Sequence, residues 1–336
     1  MKLRVGLVGL GDSWQQRHAP ALRALADRFV VRAVCEQVQH RAEQAAAEFD
    51  AAAVTGYRAL ARREDIDVVL ILSPQWYGAL PILAACESGK AIYCAAGLDL
   101  EPETARLVKR RVEESGIVFM AEFPRRQAPA TLRLKELIAT VLGQPRLLFC
   151  HQRSVAKLAV QPQTNCSAFH VQLRDMIELV DWCRYVVDKD PTFVTGLMHA
   201  GGHETGAGDY QMMSLDFSAA TSPGTGPVAQ ISCGQYIPAG WQEAITYRPL
   251  AALQVSCERG IAFIDLPATL VWFDEAGRHQ ESLENERPVG EQLLSQFHRV
   301  VTNPVGKTCD LEDAYCALNI VQQARNSHVQ GRRIEL

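Results

Sequence analysis

The sequence predicts an α/β protein in two parts: a doubly wound parallel sheet, then an α+β part with a mostly antiparallel, open-faced sheet. Three observations predict this fold class. The 336 residues suit about two domains of roughly 150 residues each. Short apolar runs alternate with helical patterns as far as Ala121, which is the βαβ pattern. After Pro124, strand-like runs follow one another with Gly and Pro between them.

The first part is predicted element by element from its apolar runs. Val68–Leu72 is nearly all apolar, as expected of a parallel strand that is covered on both faces. Such sheets bind ligands beyond the carboxyl ends of their strands. The predicted strands are Leu3–Val8, Val30–Cys35, Val68–Leu72, Ala91–Cys94 and Ile117–Ala121, and the predicted helices are Ala19–Asp27, His40–Phe49, Tyr77–Glu87 and Glu101–Ser115.

The second part combines predicted helices with a run of strands. We therefore expect a first domain over residues 1–123 and a second domain over 124–336. The predicted helices are Ala128–Leu142, Ala168–Val186, Glu291–Val301 and Leu311–His328. The predicted strands are Arg146–Arg153, Gln211–Phe217, Val228–Cys233, Ala252–Cys257 and Ile261–Leu266.

Composition excludes several classes of protein. With 34 Lys and Arg against 38 Asp and Glu, the net charge of −4 offers no basic field for nucleic acid. Two uncharged stretches, Val68–Cys86 and Phe217–Gln242, are interrupted by polar residues, Gly and Pro, so no membrane span is predicted. The start of the chain lacks a cleavage pattern, and the ten cysteines are scattered singly. These features predict a cytoplasmic protein with reduced thiols.

A candidate dinucleotide turn follows the first strand. Gly9-Leu10-Gly11 lies between a strand and a helix, which is the required context, although Trp14 occupies the place of a third glycine. Glu36 ends the second strand, 25 residues beyond Gly11. A carboxylate there can accept both ribose hydroxyls and repel a 2′-phosphate. The pattern favours NAD, while Arg32 or Arg41 leaves NADP open.

The order of motifs along nearly the whole chain resembles the Gfo/Idh/MocA oxidoreductases. The motifs that carry the resemblance are Gly9-Leu10-Gly11, Ala33-Val34-Cys35-Glu36, Asp65–Pro74, Glu87–Cys94, Arg125–Pro129, Glu258-Arg259-Gly260, Asp310–Ala314 and Gly331–Leu336. That family implies a two-domain, NAD(P)-dependent enzyme that acts mainly on sugars and cyclitols. The resemblance makes residues 1–123 the NAD(P)-binding Rossmann domain and residues 124–336 the substrate-binding and oligomerisation domain.

The resemblance also implies which residues hold the cofactor. These are Gly9, Gly11, Asp12, Ser13, Trp14, Glu36, Ser73, Pro74, Gln75 and Tyr77. Trp76 and Tyr77 lie where the nicotinamide end would pass, and a plain core role is an equal alternative for both aromatic residues.

Two catalytic elements of the family are missing from this sequence. Where the family has Glu-Lys-Pro after the fifth strand, this chain has Ala95-Ala96-Gly97, so neither the carboxylate nor the lysine is present. The family also has an Asp and a His at i, i+4 on a helix of the second domain. Registering on Trp182 puts Val171 and Asp175 in those places. A shift of one residue puts His170 and Arg174 there instead.

The candidate catalytic residues are therefore His170, Asp175 and Arg126. The alternative for the helix flank is a solvated surface with pairs such as Arg174 and Glu178. His151 is a further possible replacement for the lysine. His18 lies one residue later than the family's histidine, and it either contacts the substrate side or ends the loop.

Three functions follow as hypotheses. The first is an NAD(P)-dependent oxidoreductase of a sugar, cyclitol or related polyhydroxy compound, with a rebuilt proton relay. The second is a non-catalytic sensor or partner subunit that binds nucleotide or a sugar-like ligand. The third is an enzyme whose NAD performs a transient oxidation within an elimination or hydrolysis. No metal site is predicted, and the open sheet face predicts a homodimer or homotetramer.

Overall fold

The computed structural model describes residues 1–96, 98, 100–155, 168–199, 209–237, 240–241, 243–247, 251–284, 286–303 and 311–336. The chain divides into two compact units. The first comprises Met1–Pro124 and Arg287–Cys316, and the second comprises Arg125–Glu286 and Ala317–Leu336. The sequence prediction assigned residues 287–316 to the second domain. In the structure, residues 287–303 and 311–316 group with the first unit, where α10 (Val289–Thr302) packs its apolar face against α1 (Ala19–Ala24).

The first unit contains a six-stranded parallel sheet in the order β3-β2-β1-β4-β5-β6. Its strands are β1 (Leu3–Val8), β2 (Phe29–Cys35), β3 (Ala52–Ala53), β4 (Val68–Ile71), β5 (Ala91–Cys94) and β6 (Phe119–Ala121). Its helices besides α1 and α10 are α2 (Gln39–Glu48), α3 (Tyr57–Ala61), α4 (Pro74–Tyr77), α5 (Leu80–Glu87) and α6 (Pro102–Ser115). A π-helical turn over Trp14–His18 precedes α1.

The strand order reverses between β1 and β4, and that switch point is where doubly wound sheets bind their ligands. One face of the sheet is buried under α1, α2 and α10, with Leu7, Leu70 and Tyr93 fully buried among its core residues. The predicted parallel sheet is confirmed. The sequence prediction missed short elements here, among them β3, α3, α4 and the π-helical turn, each of which is two to five residues long.

The second unit contains a nine-stranded mixed sheet in the order β14-β13-β12-β11-β7-β10-β9-β8-β15. Its strands are β7 (Pro145–Val155), β8 (Phe193–His199), β9 (Asp209–Asp216), β10 (Val228–Ile237), β11 (Leu253–Cys257), β12 (Ile261–Asp265), β13 (Thr269–Asp274), β14 (Gly277–Ser282) and β15 (Ile334–Glu335). The helices that follow β6 are α7 (Pro129–Leu137), α8 (Ala168–Val187), α9 (Glu243–Thr246), α10 and α11 (Leu311–Gln330).

Only β7 and β10 pair in parallel in this sheet, and the other described pairs are antiparallel. The predicted mostly antiparallel sheet is therefore confirmed. Helix α8 covers β7 and β10, and Leu173, Met176, Ile177 and Val180 form its buried stripe. The cysteines among the described residues are free thiols. Within the same residues, no helix is long and apolar enough to cross a membrane.

Candidate functional site

The turn after β1 is built so that only glycine fits at two positions. Gly9 and Gly11 have φ angles of +69° and +66°, in the left-handed region. A Cβ atom on Gly9 would lie 2.5 Å from the Cβ of Ser73, and one on Gly11 would lie 2.2 Å from the carbonyl oxygen of Leu72. The turn therefore lies directly against the chain that leaves β4, at the switch point of the sheet.

The same turn leaves backbone donors unused. The amides of Gly11, Asp12 and Ser13 donate to no acceptor within the described part of the chain. Asp12 is exposed, and it lines a cavity of about 120 Å³ together with Gly11 and Arg41. Free N–H groups ahead of a helix are the usual cradle for a phosphate. Close packing and free donors together mean that these residues fit a dinucleotide.

Glu36 lies beside this turn. Its Oε2 accepts a hydrogen bond from the amide of Leu10 at 2.8 Å, and its Oε1 accepts one from the amide of Gln37 at 2.8 Å. Each carboxylate oxygen has a second acceptor position, so both ribose hydroxyls can still bind. The two backbone bonds fix the carboxylate at the end of β2, where the ribose is expected.

The chain after β4 supplies the other predicted cofactor residues. Ser73 and Pro74 are buried, and Pro74 begins α4. The side chain of Gln75 lies outside the described part of the structure. Burial raises the pKa of Tyr77, whose hydroxyl also hydrogen-bonds the Cys35 thiol at the end of β2. Tyr77 therefore lies on the Glu36 side of the switch point.

Trp14 begins the π-helical turn, and Ser13 immediately precedes it. Trp14 is only 3% exposed and its ring packs on Phe49, with 5.7 Å between ring centroids, so its indole is a core group. The carbonyl of Ser13 accepts hydrogen bonds from the amides of Arg17 and His18, at 2.9 and 3.3 Å. The bond to His18 spans five residues, which is the hydrogen-bond pattern of a π turn.

A buried polar cluster lies just beyond this turn, and the sequence analysis missed most of it. Glu122 directly follows β6 and is 1% exposed. Its Oε2 lies 2.8 Å from Nε2 of His18 and accepts a hydrogen bond from the hydroxyl of Tyr93 at 2.8 Å. Its Oε1 accepts a hydrogen bond from the guanidinium of Arg17. The available signal was an acidic residue in the otherwise apolar run 117–123.

Charge compensation decides the state of this carboxyl group. Burial by itself would raise its pKa. Electrostatic interactions with His18 and Arg17, together with the hydrogen bonds from His18 and Tyr93, outweigh burial and lower the pKa of Glu122 to about 2. Glu122 is therefore ionised at neutral pH. Burial raises the pKa of Tyr93, which keeps its hydroxyl protonated as a donor to Glu122.

The tripeptide that lacks the family's charges lies next to this cluster along β5. Ala95 and Ala96 are 4% and 1% exposed, and Gly97 lies outside the described residues. The amide of Glu122 donates to the carbonyl of Cys94 at 2.8 Å. In the described part of this region, Glu122 at the end of β6 supplies a buried carboxylate.

Arg126, a candidate catalytic residue, is engaged in a buried ion pair of the second unit. Its Nε donates to Oδ2 of Asp181 at 2.6 Å, and its Nη2 bonds the other carboxylate oxygen. Its guanidinium also lies 5.3 Å from the ring centroid of Tyr185. The geometry therefore gives Arg126 a place in the packing of α8.

Asp175 lies on α8 against the sheet. Its Oδ2 is 3.9 Å from the Sγ of Cys233 on β10. Burial, helped by the nearby charge of Glu178, raises the pKa of Asp175. Glu178 pairs with Arg174 at 3.6 Å, which is the helix-flank pair that the sequence offered as the alternative. His170 lies in the first turn of α8, and its side chain is outside the described part of the structure.

His151 is separated from Asp175 by the sheet. Asp175 contacts Cys233 and hydrogen-bonds Gln152, which are opposite each other on β10 and β7. His151 precedes Gln152, and successive side chains of a strand point to opposite faces. Its Nδ1 lies 2.8 Å from the hydroxyl of Ser232 on the open face. His151 and Asp175 therefore cannot act at one site of this unit.

No group of three or more His, Cys, Asp or Glu within the described ranges is arranged to hold a metal ion.

Comparison with known proteins identifies the family. Residues 3–123 match the model of the oxidoreductase family with an NAD-binding Rossmann fold, GFO_IDH_MocA. Residues 3–123 of the chain belong to the Gfo/Idh/MocA oxidoreductase family. The glycine turn, the switch point and the six-stranded sheet of the first unit all lie within the matched residues.

Relatives of known activity are similar to parts of the chain. Inositol 2-dehydrogenase 3 of Saccharopolyspora erythraea is 28% identical over 192 residues, which are 56% of this chain and 55% of that protein. Inositol 2-dehydrogenase of Rhizobium meliloti is 28% identical over 228 residues, 66% of each chain. The chain thus matches from about half to about two thirds of the length of these relatives.

Solved structures match the fold over the whole chain. A levoglucosan dehydrogenase in complex with NADH and levoglucosan has a TM-score of 0.82 at 18% identity, and covers 100% of this chain and 99% of that one. The aldose-aldose oxidoreductase of Caulobacter crescentus, complexed with glycerol, has a TM-score of 0.85 at 14% identity, with 100% of both chains covered. At these identities the likeness establishes the fold of both units.

Proposed function

We propose that this member of the Gfo/Idh/MocA family is an NAD-dependent oxidoreductase of a sugar, cyclitol or related polyhydroxy compound. The observation that carries the proposal is the turn at the switch point, where Gly9 and Gly11 pack without room for a Cβ and leave amide donors free. A turn of this kind binds the pyrophosphate of a dinucleotide. When bound, the nicotinamide accepts or donates a hydride at the alcohol carbon.

The preference for NAD over NADP rests on Glu36. Its carboxylate is fixed by two backbone amides at the end of β2, so it cannot easily turn away from a ligand. It accepts ribose hydroxyls and repels a 2′-phosphate. Arg41, on the first turn of α2, lines the cavity beside Gly11 and Asp12, which leaves it available to a phosphate group of NADP.

The substrate class is proposed from the relatives. The similar curated proteins named above are inositol dehydrogenases, and two structural neighbours hold levoglucosan or glycerol, which are polyhydroxy compounds. In the second unit, we propose that Asp175 and His170 on α8 contact the substrate. The raised pKa of Asp175 is typical of a group that handles protons. Arg126 stabilises this helix through its ion pair with Asp181, and its positive charge lies at that pair.

The first experiment is a fluorescence titration of the full chain with NADH and with NADPH, followed by a turnover assay. The assay panel contains myo-inositol, other cyclitols, levoglucosan, aldoses and the corresponding keto compounds. The proposal predicts NADH binding and NAD(H) turnover with at least one member. Tight NADH binding without turnover of any compound in the panel would refute the proposed oxidoreductase activity.

A non-catalytic sensor or partner subunit is the second candidate. The buried Ala95-Ala96 pair favours it, because the charged tripeptide of the family is absent while the nucleotide turn is intact. Turnover that is abolished by replacing His170 or Asp175 would exclude this alternative.

We further propose that the open sheet face of the second unit pairs with a second copy of the chain. Leu147, Leu197 and Phe273, which alternate with the helix-facing residues of β7, β8 and β13, are 45%, 57% and 39% exposed. An exposed apolar sheet face of this kind is typical of an oligomer interface. A monomer in light scattering at micromolar concentration would contradict the proposal.

A further inference from the structure

One buried nitrogen in the first unit, Nδ1 of His18, has no hydrogen-bond partner within the described part of the chain. His18 is 2% exposed, and its Nε2 is bound to Glu122 at 2.8 Å. Its Nδ1 is shielded from solvent and hydrogen-bonds none of the described residues. A buried polar atom without a partner is rare in folded proteins, and it is commonly explained by a catalytic role or by a bound ligand or water.

The carboxylate that binds the other ring nitrogen of His18 has both oxygens hydrogen-bonded. Glu122 receives its three donors from two regions of the chain, the π turn that carries Arg17 and His18, and Tyr93 on β5. These three groups, all in the first unit, are the titratable groups that bond the carboxylate. Because both oxygens of Glu122 are used, the imidazole ring is held in one orientation with Nε2 toward Glu122.

The π turn explains how neighbouring residues reach one carboxylate. In a regular α-helix, successive side chains are rotated by about 100°. In this turn, the amide of His18 bonds the Ser13 carbonyl five residues before it, and the side chains of Arg17 and His18 converge on Glu122. π turns are frequent at functional sites.

We propose that Nδ1 of His18 is the proton acceptor for the hydroxyl group of the polyol substrate, and that Glu122 is its positioning residue. The inference rests on the proposed function and adds the group that receives the proton. His18 lies one turn beyond the amides that are free for the dinucleotide, at the carboxyl edge of the parallel sheet. Ala95 and Ala96 contribute no competing charge there.

The reaction balances with these groups. The O–H bond of the alcohol breaks, and its proton passes to Nδ1. The hydrogen of the adjacent C–H bond leaves with the electron pair as hydride to the oxidised nicotinamide, and the alcohol carbon becomes a carbonyl. His18 becomes an imidazolium, whose new charge faces the ionised carboxylate of Glu122.

Access to Nδ1 requires side-chain movement. The nitrogen is sealed from solvent in the structure, so a substrate hydroxyl reaches it only when its neighbours shift. Arg17 is the outer member of the cluster, with a side chain that is 28% exposed and lines a cavity of about 330 Å³ with Ser13 and Gln16. Shielding of this kind keeps water from competing for the proton.

The test compares His18→Gln with a matched control. The amide nitrogen of Gln can replace Nε2 and keep the bond to Glu122, but it provides nothing at the place of Nδ1. His298→Gln is the control, because Nε2 of His298 also bonds a fixed acceptor in the first unit, the carbonyl of Met1 at 2.8 Å.

We expect a loss of about 10²–10⁴-fold in kcat for His18→Gln, with the Kd for NADH within about twofold of wild type. We expect no change for His298→Gln. Normal turnover by a folded His18→Gln would overturn the inference and leave the proposed function intact.

Glu122→Gln tests the positioning role through the pH profile. For alcohol oxidation, the acid side of the profile reports protonation of the acceptor. Without the negative charge of Glu122 the imidazolium loses its counter-charge, so we expect the acid limb of kcat/KM to move to lower pH. An unchanged limb would contradict the positioning role.

A second readout separates the two proposals if no turnover is found. In that case the ¹⁵N resonance of His18 Nδ1 is recorded for the full chain with and without NADH and myo-inositol. A shift on adding both ligands, absent in the His298 resonances, supports a ligand at Nδ1 even though the oxidoreductase proposal has failed. An unchanged resonance would overturn the inference.

Discussion

Replacement of Gly11 by Ala tests the turn on which the proposed function rests. At φ = +66° any side chain is strained, and a left-handed residue costs about 1–2 kcal/mol. The new Cβ would also lie 2.2 Å from the Leu72 carbonyl oxygen, which is backbone and cannot rotate away. Relieving such overpacking typically costs about a further 1–3 kcal/mol. We therefore expect a total loss of about 2–5 kcal/mol.

Gly89→Ala is the matched control. Gly89 has nearly the same backbone angle, φ = +62°, but nothing lies within 4 Å of its Cβ position. Both variants share the backbone strain, so their difference isolates the contact with Leu72. At about 2–4 °C per kcal/mol, Gly11→Ala should melt roughly 2–12 °C below Gly89→Ala in differential scanning fluorimetry. Only Gly11→Ala should also lose NADH binding in a fluorescence titration. Equal melting temperatures together with equal affinities would refute the reasoning about the turn.

The remaining predictions concern single charges. Glu36→Gln removes the repulsion of a 2′-phosphate, which at partial exposure is worth about 1–2 kcal/mol, so the ratio of the Kd values for NADPH and NADH should fall about tenfold in paired titrations. Arg126→Met removes the bidentate partner of the buried Asp181, which keeps a longer contact with Arg184 at 3.8 Å, and should destabilise the chain by about 3–5 kcal/mol in urea. Adding Asp181→Leu should recover much of that loss, and a stable single variant with lost turnover would instead assign Arg126 to catalysis. The pKa of Glu122 is lowered from 4.5 to about 2, so ionised Glu122 adds to the free energy of unfolding above about pH 4.5, and this stabilisation is lost as the pH falls toward 2. The stability advantage of wild type over Glu122→Gln should therefore shrink across that window in acid unfolding curves. The pKa of Asp175 is raised instead, so Asp175→Asn should gain stability relative to wild type as the pH rises above about 4, and a constant difference in melting temperature would contradict that direction.

The sequence by itself determined the two sheets and the place of the nucleotide turn. Buried parallel strands such as Val68–Ile71 are recognisable because every side chain must be apolar, and the Gly9-Leu10-Gly11 turn is recognisable because its spacing reflects backbone geometry. Both signals are local. Glu36 could be predicted for the same reason, since its position at the end of β2 follows from counting along the chain.

Tertiary structure decided what each polar side chain contacts. Arg126 was a catalytic candidate in the sequence, and in the structure it pairs with Asp181, 55 residues away. His151 and Asp175 were interchangeable candidates until the strand register placed them on opposite sides of a sheet. The convergence of Arg17, His18, Tyr93 and Glu122 joins residues up to 105 positions apart. No local pattern encodes such pairs, because they depend on the order of the strands and on a π turn that rotates two neighbouring residues toward one carboxylate.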